Sequence, residues 1–182
     1  GETNDAKRQL AQWAASRVED GQIVLFDSGS TTLQIAQSLP RAIHLTVVTA
    51  SPMIAIALAD HPHVKVILAG GQLNPATLST GGHEAVRLIQ SIKADLLFTG
   101  VCALHPQVGI SSVNFDEVVV KQALLDSASQ VVAVTMADKL GAVEPFVVAP
   151  CSRIHTLITE WHVPDMEAYE QLGLEVLRVE VE

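Results

Sequence analysis

An α/β fold built on a mostly parallel sheet with helices on both faces is predicted by three features of the chain. The unbroken apolar run Ile23–Phe26 has the character of a strand buried on both sides, and Leu45–Thr49 and Val64–Leu68 read as further strands. Segments with apolar residues at helical spacing separate them, and this strand–helix alternation continues almost to the last residue. The strand ends also give repeatedly onto small, polar and glycine residues: Asp27-Ser28-Gly29, Thr49-Ala50-Ser51, Gly70-Gly71, Thr99-Gly100-Val101 and Ala137-Asp138-Lys139. Ligands of such sheets collect at the carboxyl ends of the strands, so five such ends together mark a candidate pocket rim.

Taken in order, Thr3, Asn4 and Asp5 are expected to cap a first helix whose Leu10, Trp13, Ala14 and Val18 form one apolar face before Asp20-Gly21 stops it. Strand Ile23–Phe26 follows and Asp27 closes it. Beyond the polar link 28–32, Leu33, Ala36 and Gln37, widened by Ile35 and Leu39, have helical spacing. Leu45–Thr49 is the second strand, and Ser51 as N-cap with Pro52 at the first helical position starts the next helix. Val64–Leu68 runs into Gly70-Gly71, a turn beside which a ligand or another backbone can pass. Gly81-Gly82 opens a helix through Leu88 and Ile92, and Ala94–Thr99 is a fourth strand. A helix over 114–128, a strand over 130–135, a short apolar piece ending at Val147, a strand at 156–159, a helix at 166–172 and a strand at 174–179 complete the pattern.

Composition narrows the function classes. With 182 residues, 48% of them hydrophobic and 17% charged, the chain suits a single domain over 1–182 with one well-buried core. Its net charge of −9, with no run of Lys or Arg, argues against nucleic-acid binding by this segment itself. Cys102 and Cys151 stand far apart without CxxC spacing, which suits a reducing, cytoplasmic setting rather than a disulfide framework. The apolar runs are strand-sized, short of the roughly 20 residues that cross a bilayer, so no membrane role is expected. The histidines are scattered, and His61-Pro62-His63 lacks metal-ligand spacing and a third ligand, so a surface loop is the expected reading and no metal is expected.

The chemistry concentrates at Ser28-Gly29-Ser30-Thr31-Thr32. A helix start presents unsatisfied N–H groups and the positive end of the peptide dipole, which together favour an anion. Gly29 permits close backbone approach, and the three hydroxyl residues can wrap phosphate oxygens. Ser and Thr are equally favoured as plain helix caps, and the loop alone supports both readings evenly. Neither GxxxxGK[ST] nor GxGxxG is present, so no nucleotide cofactor is expected.

The DSGSTT loop, the TVVTAS strand end, the AGGQL turn, the segment NFDEVVVKQALL and the later MADKLG together resemble the sugar-phosphate-sensing region of the DeoR family of bacterial transcriptional regulators, over about 5–160. The resemblance implies the fold of ribose-5-phosphate isomerase, glucosamine-6-phosphate deaminase and CoA transferases, and a phosphorylated sugar or its metabolite as effector. It further implies a homo-oligomer that meets operator DNA only through an N-terminal helix-turn-helix, which this chain is expected to lack. Carried over by position, Asp27, Gly29, Thr31 and Thr32 match the family's loop, Glu117 and Lys121 its helical glutamate and lysine, and Asp138-Lys139 its later aspartate-lysine. Ser28, Ser30, Thr49, Ser51, Gly70, Gly71 and Gly100 complete the expected ligand-binding set. The chain departs from the family where Thr49-Ala50-Ser51 replaces Thr-Asn-Ser, which removes an amide contact, and where TGVCALHPQVG lacks the usual acidic residues.

Each charged candidate has a plainer reading beside the functional one. Lys139 either neutralises a phosphate from a neighbouring strand end or pairs with Asp138 or Glu144. Glu117 and Lys121, four residues apart, suit an intrahelical ion pair of about 0.2–0.5 kcal/mol, and Asn114 with Glu117 has capping-box spacing. Asp27 either faces sugar hydroxyls or caps its turn. An isomerase or deaminase of the same fold, with Glu117 or Asp27 as base, is the competing activity; the sensor reading is not an enzyme.

Overall fold

The computed structural model describes residues 2–163 and 165–182, with the side chains of Glu2 and Thr3 outside the description. Seven strands form a wholly parallel sheet: β1 (Ile23–Phe26), β2 (Leu45–Thr49), β3 (Val64–Leu68), β6 (Ala94–Thr99), β9 (Ala128–Val134), β11 (Thr156–Glu160) and β12 (Glu175–Val179). Their order is β12-β11-β9-β6-β1-β2-β3. The chain starts in the middle at β1, builds outward to the β3 edge, then returns to β6 and builds to the other edge. The strand order therefore switches between β1 and β6.

The unbroken apolar runs are explained by burial on both faces, since alternate residues enter two separate cores. Leu25, Val48, Leu97, Val131 and Ala133 pack with α4 (His83–Gln90), α5 (Phe115–Ser127) and Tyr169 of α6 (Glu167–Gln171). Val24, Phe26, Val47, Phe98, Val132 and Val134 pack with α1 (Glu2–Ala15), α2 (Ser30–Gln37) and α3 (Pro52–Ala57). Phe26 and Phe98, both fully buried, meet across β1 and β6 with ring centroids 5.2 Å apart.

Two small antiparallel additions were not expected. Where a loop is read after Gly70-Gly71, β4 (Gln72–Asn74) and β5 (Ser79–Gly81) form a hairpin. Between Thr99 and Asn114, where no element is expected, β7 (Ala103–His105) and β8 (Gly109–Ser112) pair with each other, and β10 (Phe146–Ala149) adds to β8. Three- and four-residue strands broken by Pro and Gly leave too little periodicity to read. Gly82 of the expected Gly81-Gly82 pair caps α4.

The first helix also begins earlier than expected. Asn4 and Asp5 lie inside α1 rather than capping it, Asn4 accepting from Gln34 Nε2 at 3.1 Å and Asp5 pairing with Arg8 at 3.0 Å. The expected cap at Thr3 falls outside the described side chains. Leu10, Ala14 and Val18 are buried as expected, but Trp13 is half exposed. Cys151 donates its thiol to the His105 carbonyl at 3.1 Å, and burial pushes that thiol up to about 11, consistent with an inert core residue. Among the described residues no helix is long and apolar enough to cross a membrane, and no cluster of His, Cys, Asp and Glu has the makings of a metal site.

Candidate functional site

The carboxyl ends of β1, β6 and β9 open into a cleft, as the switch in strand order requires. Asp27 stands at its floor, 4% exposed, with its amide donating to the Phe98 carbonyl at 3.0 Å. Three donors hold its carboxylate. Oδ1 accepts from the Ser28 amide at 2.8 Å, while Oδ2 accepts from Thr99 Oγ1 at 2.7 Å and from Lys121 Nζ at 2.6 Å. Burial alone would lower the pKa of Lys121; the adjoining Asp27 charge and hydrogen bond, helped by Glu117, override it and hold Lys121 above the ordinary 10.5. Three separate elements, β1, β6 and α5, thus converge on one buried ion pair.

This arrangement corrects two readings from spacing alone. Lys121 makes its ion pair with Asp27 across the fold, and no pair between Lys121 and Glu117 forms within α5. Glu117 Oε2 instead accepts from Ser112 Oγ of β8 at 2.9 Å, and Asn114 starts α5 without a side-chain cap bond, so the capping box is absent. Asp27, held by three donors, does more than cap its own turn.

Above the pair, the 28–32 loop enters α2 through Gly29, whose φ of 134° lies where a side chain is strained. No side chain caps α2. Thr32 is buried and turns its hydroxyl back to the Gly29 carbonyl at 3.1 Å, and Leu33 N makes the first helical bond to the same oxygen. The plain Ser/Thr cap is therefore not what this loop builds. Residues 28–32 line a cavity of about 480 Å³ together with Lys7, Gly100, Cys102, Glu117, Lys121, Asp138 and Lys139. Lys139 sits on the short 3-10 turn after β9, next but one to β1 rather than adjacent, and is loosely paired with Asp138 at 3.9 Å.

A second cavity of about 650 Å³ adjoins the first, sharing Ser28, Thr77, Glu117 and Lys121 with it. Asp27 lies in its wall, and the β4–β5 hairpin, His83, Phe115 and Val119 enclose it. The hairpin is rooted firmly. Thr80 Oγ1 donates to the Ala69 carbonyl at 2.6 Å and the Ala50 carbonyl at 3.1 Å, and Gly71, at φ 142°, passes so close that a Cβ there would sit 2.5 Å from the Gly81 oxygen.

Four expected residues line neither cavity. Thr49 donates to the Phe26 carbonyl at 2.9 Å, Ser51 accepts from Ile54 N as the α3 cap, and Gly70 and Gly71 form the approach to the hairpin. Conversely, Lys7, Cys102, Thr77 and the hairpin were missed. Lys7 carries no local signal, because a lysine on the polar side of an amphipathic helix reads as solvated; for the hairpin, the Asn74-Pro75 turn between Gly71 and Gly81 was the available sign.

Residues 2–161 match the family described as the DeoR C terminal sensor domain. The chain is 33% identical over 156 residues to the HTH-type transcriptional regulator GlpR of Haloferax volcanii, covering 86% of this chain and 61% of that protein. It is 30% identical over 156 residues to the HTH-type transcriptional regulator GolR of Listeria innocua, with the same coverage of 86% and 61%. The chain thus spans about 61–66% of the length of such curated relatives. Among solved structures, a probable sor operon regulator from Shigella flexneri superposes with a TM-score of 0.61 at 14% identity, over 95% of this chain and 91% of that one. Ribose 5-phosphate isomerase A of Methanocaldococcus jannaschii superposes with a TM-score of 0.55 at 13% identity, over 76% and 55%. At such identities the structural likenesses establish a shared fold and leave the ligand open.

Proposed function

Because the chain belongs to the DeoR C terminal sensor domain family, we propose that its cleft binds a phosphorylated sugar or a related metabolite and so sets the DNA-binding state of a larger regulator. The observation that carries this reading is the pairing of an uncapped helix start at Gly29–Thr32 with lysines in one cavity of a chain whose net charge is −9. Phosphate oxygens would take the amides of 29–32 and the hydroxyls of Ser30 and Thr31, with Lys139 supplying charge. Sugar hydroxyls would extend toward Glu117 and the hairpin. Asp27 and Lys121 form the floor beneath them, and the setting is the cytoplasm.

The test is a thermal-shift panel of phosphorylated sugars against their free counterparts. Ligand at about 100 times its Kd should add roughly 2.7 kcal/mol to folding stability, seen only with phosphorylated members. Gly29→Val should abolish the response. A Cβ at this position has as its nearest neighbour Thr32 Oγ1 at 3.8 Å, so the substitution acts on the loop's conformation and on ligand approach rather than on packing. Thr31→Val should weaken the response by removing one hydroxyl. Equal responses to free and phosphorylated sugars would end the phosphate reading.

An isomerase or deaminase needs a carboxylate free to take a carbon-bound proton. Asp27 is enclosed by three donors and Glu117 receives the Ser112 hydroxyl, which favours a sensor; product formation from aldose or ketose phosphates would reverse that preference.

We also propose a closed homo-oligomer, the usual means of holding paired DNA-binding heads. Half-exposed Met53 and Leu68 and the more exposed Ile56 and Phe115 offer apolar surface for it. Sedimentation at micromolar concentration should show a mass above the 19.4 kDa of one chain; a single species of that mass would rule the oligomer out.

A further inference from the structure

Of the three lysines that line the 480 Å³ cavity, Lys121 is committed to Asp27 at 2.6 Å and Lys139 leans on Asp138 at 3.9 Å. Lys7 differs from both. It comes from α1 rather than from the sheet rim, it is half-buried, and among the described residues no carboxylate lies within ion-pair distance of it. Its Nζ donates to Ser30 Oγ at 3.1 Å, so the one neutral partner it has is a hydroxyl of the cradle itself.

The contact is exposed and its acceptor is neutral, so an anion beside that hydroxyl would offer the ammonium a stronger, charge-assisted bond. The helix that carries the charge is fixed by packing. One turn further along α1, Leu10 and Ala11 are fully buried in the core that also contains Phe26 and Ile35, and Asn4 is tied to Gln34 of α2.

We propose that Lys7 is an effector-binding residue, donating from α1 to the anionic group held at the cradle, so that occupancy of the cleft is read directly by the chain's first helix. The inference rests on the reading of the cleft as a phosphate site. Binding then does more than fill a pocket: it adds a charged contact between α1 and the β1–α2 loop, and α1 is held more firmly when the site is occupied.

The probes are inorganic phosphate and glucose 6-phosphate, followed by titration calorimetry and by hydrogen–deuterium exchange of the amides of 4–15. Lys7→Met keeps the apolar stem and removes the charge. Unliganded K7M should melt with the parent, because the residue lies outside the core, yet bind both probes about tenfold more weakly, while Lys7→Arg should recover most of the affinity. Added salt should weaken binding more steeply in the parent than in K7M, and ligand should slow exchange in α1 of the parent but not of K7M. If the parent binds and K7M binds within about twofold of it, or if α1 exchange is indifferent to ligand, Lys7 is no effector contact and this inference alone falls. If the parent binds neither probe, the phosphate reading of the cleft falls and takes this inference with it.

Discussion

Lys121→Met should lower folding stability by about 3–5 kcal/mol, the range for removing one partner of a buried ion pair. The cost arises because Asp27 stays behind, 4% exposed, with only the Ser28 amide and Thr99 hydroxyl for its charge. Chemical denaturation of the parent, K121M, Asp27→Asn and the double variant separates this cost from simple loss of packing. The double variant has no buried charge left, so it should recover much of the stability that K121M loses.

The pH dependence has a defined sign. Lys121 is held above 10.5 in the folded protein, so its contribution is fully present below that pH and is lost as pH rises through the raised folded value. The gap between parent and K121M should thus be level from neutrality to about pH 10 and narrow beyond it. A double variant no better than K121M would mean that the pair serves packing more than charge.

Gly109→Ala should be as damaging for a different reason. Gly109 has φ 95°, and a Cβ there would press on the Ala149 carbonyl oxygen and stand 2.8 Å from Pro150 Cα, both backbone atoms that cannot swing aside. Backbone strain of about 1–3 kcal/mol and overpacking of about 1–3 kcal/mol should combine into a loss of roughly 3 kcal/mol or more. Gly173→Ala is the matched control, since Gly173 shares the positive φ, at 92°, but has open space around its missing Cβ. Equal losses at the two positions would show that conformation alone matters and that the β8–β10 contact is slack. A larger loss at Gly109 should also blunt effector binding, because β8 carries the Ser112 that holds Glu117.

The central strands of the large sheet were legible because a parallel strand covered on both faces is largely apolar: Ile23–Phe26 is so throughout, and Leu45–Thr49 and Ala94–Thr99 are broken only by Thr46, Thr49, Asp95 and Thr99. The antiparallel additions were not, because a strand as short as Gln72–Asn74 is defined by its partners and turn rather than by its own pattern. A similar division runs through the cleft. Asp27, Glu117 and Lys121 could be selected from sequence, yet spacing along a helix favoured the nearest partner for Lys121, and the true partner lies 94 residues away. Thr49 and Ser51 look like pocket residues because small hydroxyls at strand ends serve backbone bonds and ligands alike; here they serve the backbone. Lys7 was illegible for the opposite reason, its place in the cavity wall arising only from where α1 packs.

The switch in strand order has a bearing on how the protein is made. A chain synthesised from its N-terminus can assemble β1, β2 and β3 side by side while the other flank of β1 still awaits β6, which is not begun until Ala94. The cleft lies on the seam between that early half and the later one, and its lining runs from Lys7 to Lys139. The lining of the cleft is therefore incomplete in a nascent chain until residue 139 has emerged. A metabolite that binds there stabilises the joined halves and neither half alone, so it favours completion of folding as well as reporting on its own concentration.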